Sequence, residues 1–112
     1  MEIWREERLR AAVIDPQAEL DLLSVAEITA SMTILIGEGY CHLILNCGVP
    51  CHTPYIALGV FAEKMRRLEH QGGSLALVNL SPALRTALRS VGSDCPFPIY
   101  PSEEIEIGRA HV

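Results

Sequence analysis

The groups best able to do chemistry crowd into one stretch, Cys47 to Phe61, "CGVPCHTPYIALGVF". Cys47, Cys51 and His52 are metal-ligand types, and His42 or Cys41 could complete a tetrahedral zinc site. The spacing Cys-x3-Cys-His lacks the second cysteine pair of the stronger zinc signatures. On a strand, Cys41 and Cys47 share a face while His42 points the other way. A free cysteine is also an ordinary small buried hydrophobe. Cys51 lies just ahead of a helix start, where the field lowers a thiol's pKa and makes it reactive. Nucleophilic catalysis needs an oriented base and an oxyanion site as well, and nothing in the sequence sets either beside Cys51. A metal- or thiol-dependent enzyme using Cys47, Cys51 and His52 is therefore the least supported reading.

The other candidates are a hydroxyl, a carboxylate and an aromatic. Thr53 precedes Pro54, and a Thr-Pro pair is a favoured helix start, with Thr capping an amide and Pro at the first helical position. Tyr55 is of the type enriched in interface anchors. Asp21 closes a strand and can either cap the next helix or meet a partner's basic group. Lys64, Arg66, Arg67, Arg85 and Arg89 are interleaved with Glu63 and Glu69, as on a solvated face.

These residues need elements to hold them. Residues 2–9 and 11–19 read as two strands, the first charged and at an edge, the second with a bulge or an edge position at Pro16. Ser24 and Glu27 form a capping-box pattern, which predicts a helix beginning at Ser24. Val25, Ile28, Met32 and Leu35 form its buried stripe, and Gly37 and Gly39 end it. "CHLILNC" (41–47) and "SLALVNL" (74–80) are buried strands. The helix from Pro54 buries Leu58, Phe61, Met65 and Leu68, keeps Glu63, Lys64, Arg66, Arg67 and Glu69 wet, and stops at Gly72-Gly73. Ser81-Pro82 opens a third helix that turns Leu84, Leu88 and Val91 inward and ends at Gly92. "PFPIYP" (96–101) is an extended piece, and a terminal helix begins at Ser102. The order β-β-α-β-α-β-α-β-α predicts an α/β fold, a mixed sheet of four to five strands with about four flanking helices and right-handed crossovers.

Bulk properties narrow the function. The 112 residues make one domain, 1–112. They are 49% hydrophobic and 21% charged, with a net charge of −5. That balance argues against nucleic acid or an anionic membrane as partner. No apolar run reaches the roughly 18 residues of a membrane span. The N-terminal "MEIWREERLR" lacks the apolar core of a signal peptide. The expectation is a cytoplasmic domain with reduced cysteines.

Several segments resemble one family in order and spacing. "AELD" (18–21) looks like the "GELD" that closes the second strand of STAS domains, the fold of bacterial anti-sigma-factor antagonists. "LILN" (43–46) is similar to that family's "LVLD". "HQGGSLALVNLSPALRTAL" (70–88) and "FPIYPSEEI" (97–105) resemble its later strands and helices. In the family, the turn before the second long helix reads "D-S-S-G-L-G", with a serine phosphorylated by a partner kinase. The resemblance places Pro54 on the Asp, Tyr55 and Ile56 on the two serines, and Ala57 on the Gly, while Leu58-Gly59 match. The acceptor serine is missing.

The resemblance thus implies a non-catalytic interaction module without cofactor or metal. Its partner-binding residues would be Asp21, Thr53, Pro54, Tyr55, Ile56 and Ala57. Its partners would be an anti-sigma factor of serine-kinase character or other STAS-containing regulators; apart from the resemblance, more apolar material than one small sheet can cover suggests a homodimer. The alternative is a STAS-like accessory subunit of a lipid- or anion-transport system.

Overall fold

In the computed structural model, residues 1–91 and 99–100 are described. Five strands form one sheet in the order β1-β2-β3-β4-β5. They are β1 (Glu2–Glu6), β2 (Ala11–Asp15), β3 (His42–Asn46), β4 (Ser74–Val78) and β5 (Ile99–Tyr100). β1 runs antiparallel to β2, and β2 through β5 are parallel. Three helices supply the crossovers: α1 (Leu22–Gly37), α2 (Pro54–His70) and α3 (Pro82–Val91). Because the strands follow each other in sequence across the sheet, right-handed crossovers lay the helices on one face. The terminal helix expected from Ser102, the stop at Gly92 and most of "PFPIYP" lie outside the described residues.

The main core forms between sheet and helices. Ala12, Ile14, Leu43, Leu45, Leu75 and Leu77 meet Ile28, Met32 and Leu35 of α1 and Leu58, Phe61 and Leu68 of α2. Strand residues of the opposite parity, Val13, Ile44 and Val78, form a smaller cluster on the other face, as the alternation of side chains along a strand requires. Both buried helix stripes read from the spacing are the ones observed.

The element ends differ from the sequence reading. The first strand stops at Glu6 because Glu7–Arg10 form a turn, in which the Arg10 amide donates to the Glu7 carbonyl and Arg10 has φ 52°. β2 ends at Asp15, before Pro16, and Gln17 has φ 58° with its amide on Asp15 Oδ1. Pro16 therefore terminates the strand and makes no bulge within it. α1 starts at Leu22, two residues before the capping box at Ser24, because Asp21 is the cap: its Oδ1 accepts from the Ser24 amide at 2.8 Å.

Lys64 is a further correction. It is 6% exposed, with its stem along the seam between α1 and α2 and its Nζ donating to Thr33 Oγ1 at 2.9 Å. A lysine stem is apolar enough to be buried while its head finds a polar group.

Candidate functional edge at the starts of two helices

The turn from Cys47 to Thr53 is pinned from three sides. The Cys47 amide donates to the Val78 carbonyl at 2.8 Å, and the Ser81 amide donates to the Cys47 carbonyl at 2.9 Å. Asn46 Oδ1 accepts from the Gly48 amide at 2.9 Å. On its other flank the turn pairs with the segment after β2. The Leu20 amide donates to the Pro50 carbonyl at 2.7 Å, and the His52 amide to the Leu20 carbonyl at 3.0 Å, a parallel bridge between Leu20 and Cys51. Exposed His52 and Glu19 close the pair, with Nε2 and Oε2 2.9 Å apart. The starts of α1 and α2 are thereby locked side by side at the carboxyl edge of the parallel strands, the usual place for binding in such sheets.

Each expected site residue can now be placed. Asp21 is exposed and caps its own helix, α1. That hydrogen bond from the Ser24 amide is the main reason its carboxyl is held below its ordinary value of 3.8. Thr53 occupies the cap position of α2, where its carbonyl accepts from the Ala57 amide at 2.9 Å. Its side chain makes no capping bond, and Oγ1 is buried without a partner. Pro54 fills the first helical position and brings no N–H. Tyr55 and Ile56 are 57% and 53% exposed, whereas Ala57 is fully buried and belongs to the packing of α2.

The structure adds Leu22, 59% exposed, at the adjoining start of α1. Sequence reasoning missed it. Its signal was the buried stripe starting at Val25, which leaves Leu22 about 100° off the core-facing direction. Between this turn and the start of α3 an open groove of about 420 Å³ is lined by Gly48, Pro50, Cys51, Asn79 and Ser81.

The thiol and metal readings find no geometry. Cys47 is buried, its Sγ lies 3.6 Å from the Leu45 carbonyl, and burial first, then nearby Cys51, pushes its pKa far up. A thiol so held is protonated and inert. Cys51 is buried as well. His52 pairs with Glu19, and His42 Nδ1 lies 3.0 Å from Ser74 Oγ. Among the described residues no three His, Cys, Asp or Glu side chains are grouped to hold a metal, and no helix is long and apolar enough to cross a membrane.

Comparison with known proteins agrees with the architecture. Two structures of SpoIIAA align over most of the chain. The phosphorylated form of this Bacillus cell-fate determinant is 27% identical, with a TM-score of 0.67, covering 89% of this chain and 90% of that one. The unphosphorylated form, described as an anti-sigma factor antagonist, is 26% identical with a TM-score of 0.74, covering 98% and 96%. A candidate anti-sigma factor antagonist from Thermotoga maritima shares the fold with a TM-score of 0.83 at 16% identity, covering 99% and 94%. No curated protein sequence matches the chain. The model of the STAS domain family matches residues 3–105, and the chain belongs to that family.

Proposed function

We propose that this STAS domain is a non-catalytic docking module of a regulatory system, and that it binds an anti-sigma factor of serine-kinase character. The contact is made through the edge that carries Asp21, Pro54, Tyr55 and Ile56, widened by Leu22. The likeness to SpoIIAA, an anti-sigma factor antagonist, supports the partner class, and the setting for such a partner is the cytoplasm.

The observation that carries the reading is the chemistry of the α2 entrance. SpoIIAA is known in a phosphorylated form, and a phosphate at a helix start is stabilised by free amides and the dipole. In this chain the two exposed side chains at that start are Tyr55 and Ile56. The one short hydroxyl beside them, on Thr53, is turned inward and shielded from solvent. An apolar surface that offers no accessible serine-like acceptor favours binding that serine phosphorylation does not release.

Intact-mass measurement after incubation with ATP and a kinase that phosphorylates SpoIIAA-type antagonists tests this. The expected result is a stable complex and an unmodified chain. Stoichiometric phosphate on Thr53 would overturn the proposal. Recovery of a transport ATPase from the native cell, with no sigma-regulatory kinase, would move the module to the transport alternative.

A further inference from the structure

Helix α1 is apolar almost all round. Among its 16 residues, "LLSVAEITASMTILIG", Glu27 is the only charged side chain. Its core stripe of Val25, Ile28, Met32 and Leu35 is buried. Diametrically opposite lie Leu23, Ala26, Glu27, Ala30, Thr33, Ile34 and Gly37, all exposed, with Leu23 at 69% and Ile34 at 59%. At 100° per residue these seven fall within about 60° of the direction of Ala30. A helix with two apolar faces is normally covered on both.

Charge and symmetry on this face point to what covers it. A membrane surface is unsuited, because an interfacial helix carries Lys or Arg along its polar flank and α1 has neither. The chain carries a net charge of −5, so two copies repel through most of their surfaces, whereas this face carries one carboxylate, Glu27, and has the Lys64 ammonium against its Thr33. The face is also self-complementary under a two-fold axis. When α1 packs antiparallel on its own copy about Ala30, residue i falls level with residue 60 − i of the other copy. Leu23 then lies level with Gly37, and Ile34 with Ala26, while Ala30 faces itself. Each large side chain is level with a small one, as close helix packing requires, and an isologous contact demands this kind of symmetry.

We propose that the outer face of α1 is the interface of a two-fold homodimer centred on Ala30. Its near end at Leu23 adjoins Leu22 of the docking edge, while Tyr55 and Ile56 stand on α2 and stay open to a partner in the dimer. One helix face is at the small end of specific interfaces, which makes the dimer concentration dependent.

Sedimentation equilibrium of the full chain over a range of concentrations tests it. The expected mass rises toward twice 12.3 kDa. Ala30→Arg should weaken association at least tenfold without changing the thermal melt, since position 30 is exposed. Ala30→Cys should form a disulfide-linked dimer on mild oxidation faster than wild type or Glu63→Cys, a site on the wet side of α2. A chain that stays monomeric, a dimer indifferent to Ala30→Arg, or no faster linkage at position 30 each overturns the proposal. So does a monomer that loses binding to a different protein when Ala30→Arg is made, because the face then belongs to that protein.

Discussion

Asp21 shows how one residue answers a question that sequence leaves open. Its position permits a helix cap or a contact for a partner's cation, and the 2.8 Å bond from the Ser24 amide establishes the cap. Because that bond favours the carboxylate, the folded-state pKa lies below the ordinary 3.8. The sign follows from linkage: a depressed acid adds stability above its unfolded pKa, and the gain disappears as pH falls through the folded one. Asp21→Asn keeps a capping oxygen but removes the charge. Thermal melts should therefore show the variant below wild type at pH 7, with the gap closing below pH 3.8. A gap that persists unchanged into acid would sink the assignment. Thr53 is the opposite case. Thr-Pro reads as a capping pair and does start α2, yet its hydroxyl is unbonded and buried. Sequence spacing reports which backbone position starts a helix, and it does not report the rotamer of the capping side chain.

Among the elements, the buried stripes of α1 and α2 were legible and the strand ends were not. A three-four step of apolar residues has one physical solution, so Val25 to Leu35 and Leu58 to Leu68 could be assigned to the core from spacing alone. Strand lengths depended on turns through positive φ at Arg10 and Gln17, residues whose types give little warning of it. The Gly72-Gly73 stop was legible, but the two glycines do different things. Gly72 has φ 76° and open space around it, so Gly72→Ala costs about 1–2 kcal/mol for the left-handed backbone. At Gly73 an added Cβ would lie 2.0 Å from the Cys41 carbonyl oxygen. The approach of β4 to β3 depends on that space, since the Ser74 amide donates to the same oxygen. Denaturant titration should place Gly73→Ala at about 3 kcal/mol, the upper end of ordinary single substitutions; equal costs for the two would refute the distinction. Lys64 hid in a charged run because its type says nothing about its stem. Lys64→Met keeps the stem and should stay within about 1.5 kcal/mol of wild type. Lys64→Ala opens the α1–α2 seam and should lose about 2 kcal/mol or more. Equal losses would mean that the Thr33 contact of the ammonium, and not the stem, is what matters there.

At the scale of the whole molecule, folding and docking use different residues, and that separation can be measured. The core lies between sheet and helices, the carboxyl edge is fixed by backbone bonds through Leu20, Cys47 and Ser81, and Leu22, Tyr55 and Ile56 project from it more than half exposed. These three exposed side chains make no capping bond, and such surface side chains change stability by about 0.5 kcal/mol or less each. The triple variant Leu22→Ser, Tyr55→Ser, Ile56→Ser should then melt within a few degrees of wild type. Binding should respond differently, because truncating a central aromatic anchor costs about 2 kcal/mol or more in an interface, some thirtyfold in Kd with the two aliphatic losses added to it. The charge around the edge should act on another step. Glu19 and Asp21 are exposed beside these apolar groups on a chain of net charge −5, so a basic partner surface is steered toward them. Rim charge governs the association rate and its salt dependence, while the packed centre governs dissociation. Surface plasmon resonance should show the on-rate falling as salt rises while the off-rate stays nearly fixed, and the triple variant should raise the off-rate instead. A variant that binds normally, or one that loses binding only because it no longer folds, would separate this edge from the function proposed for it.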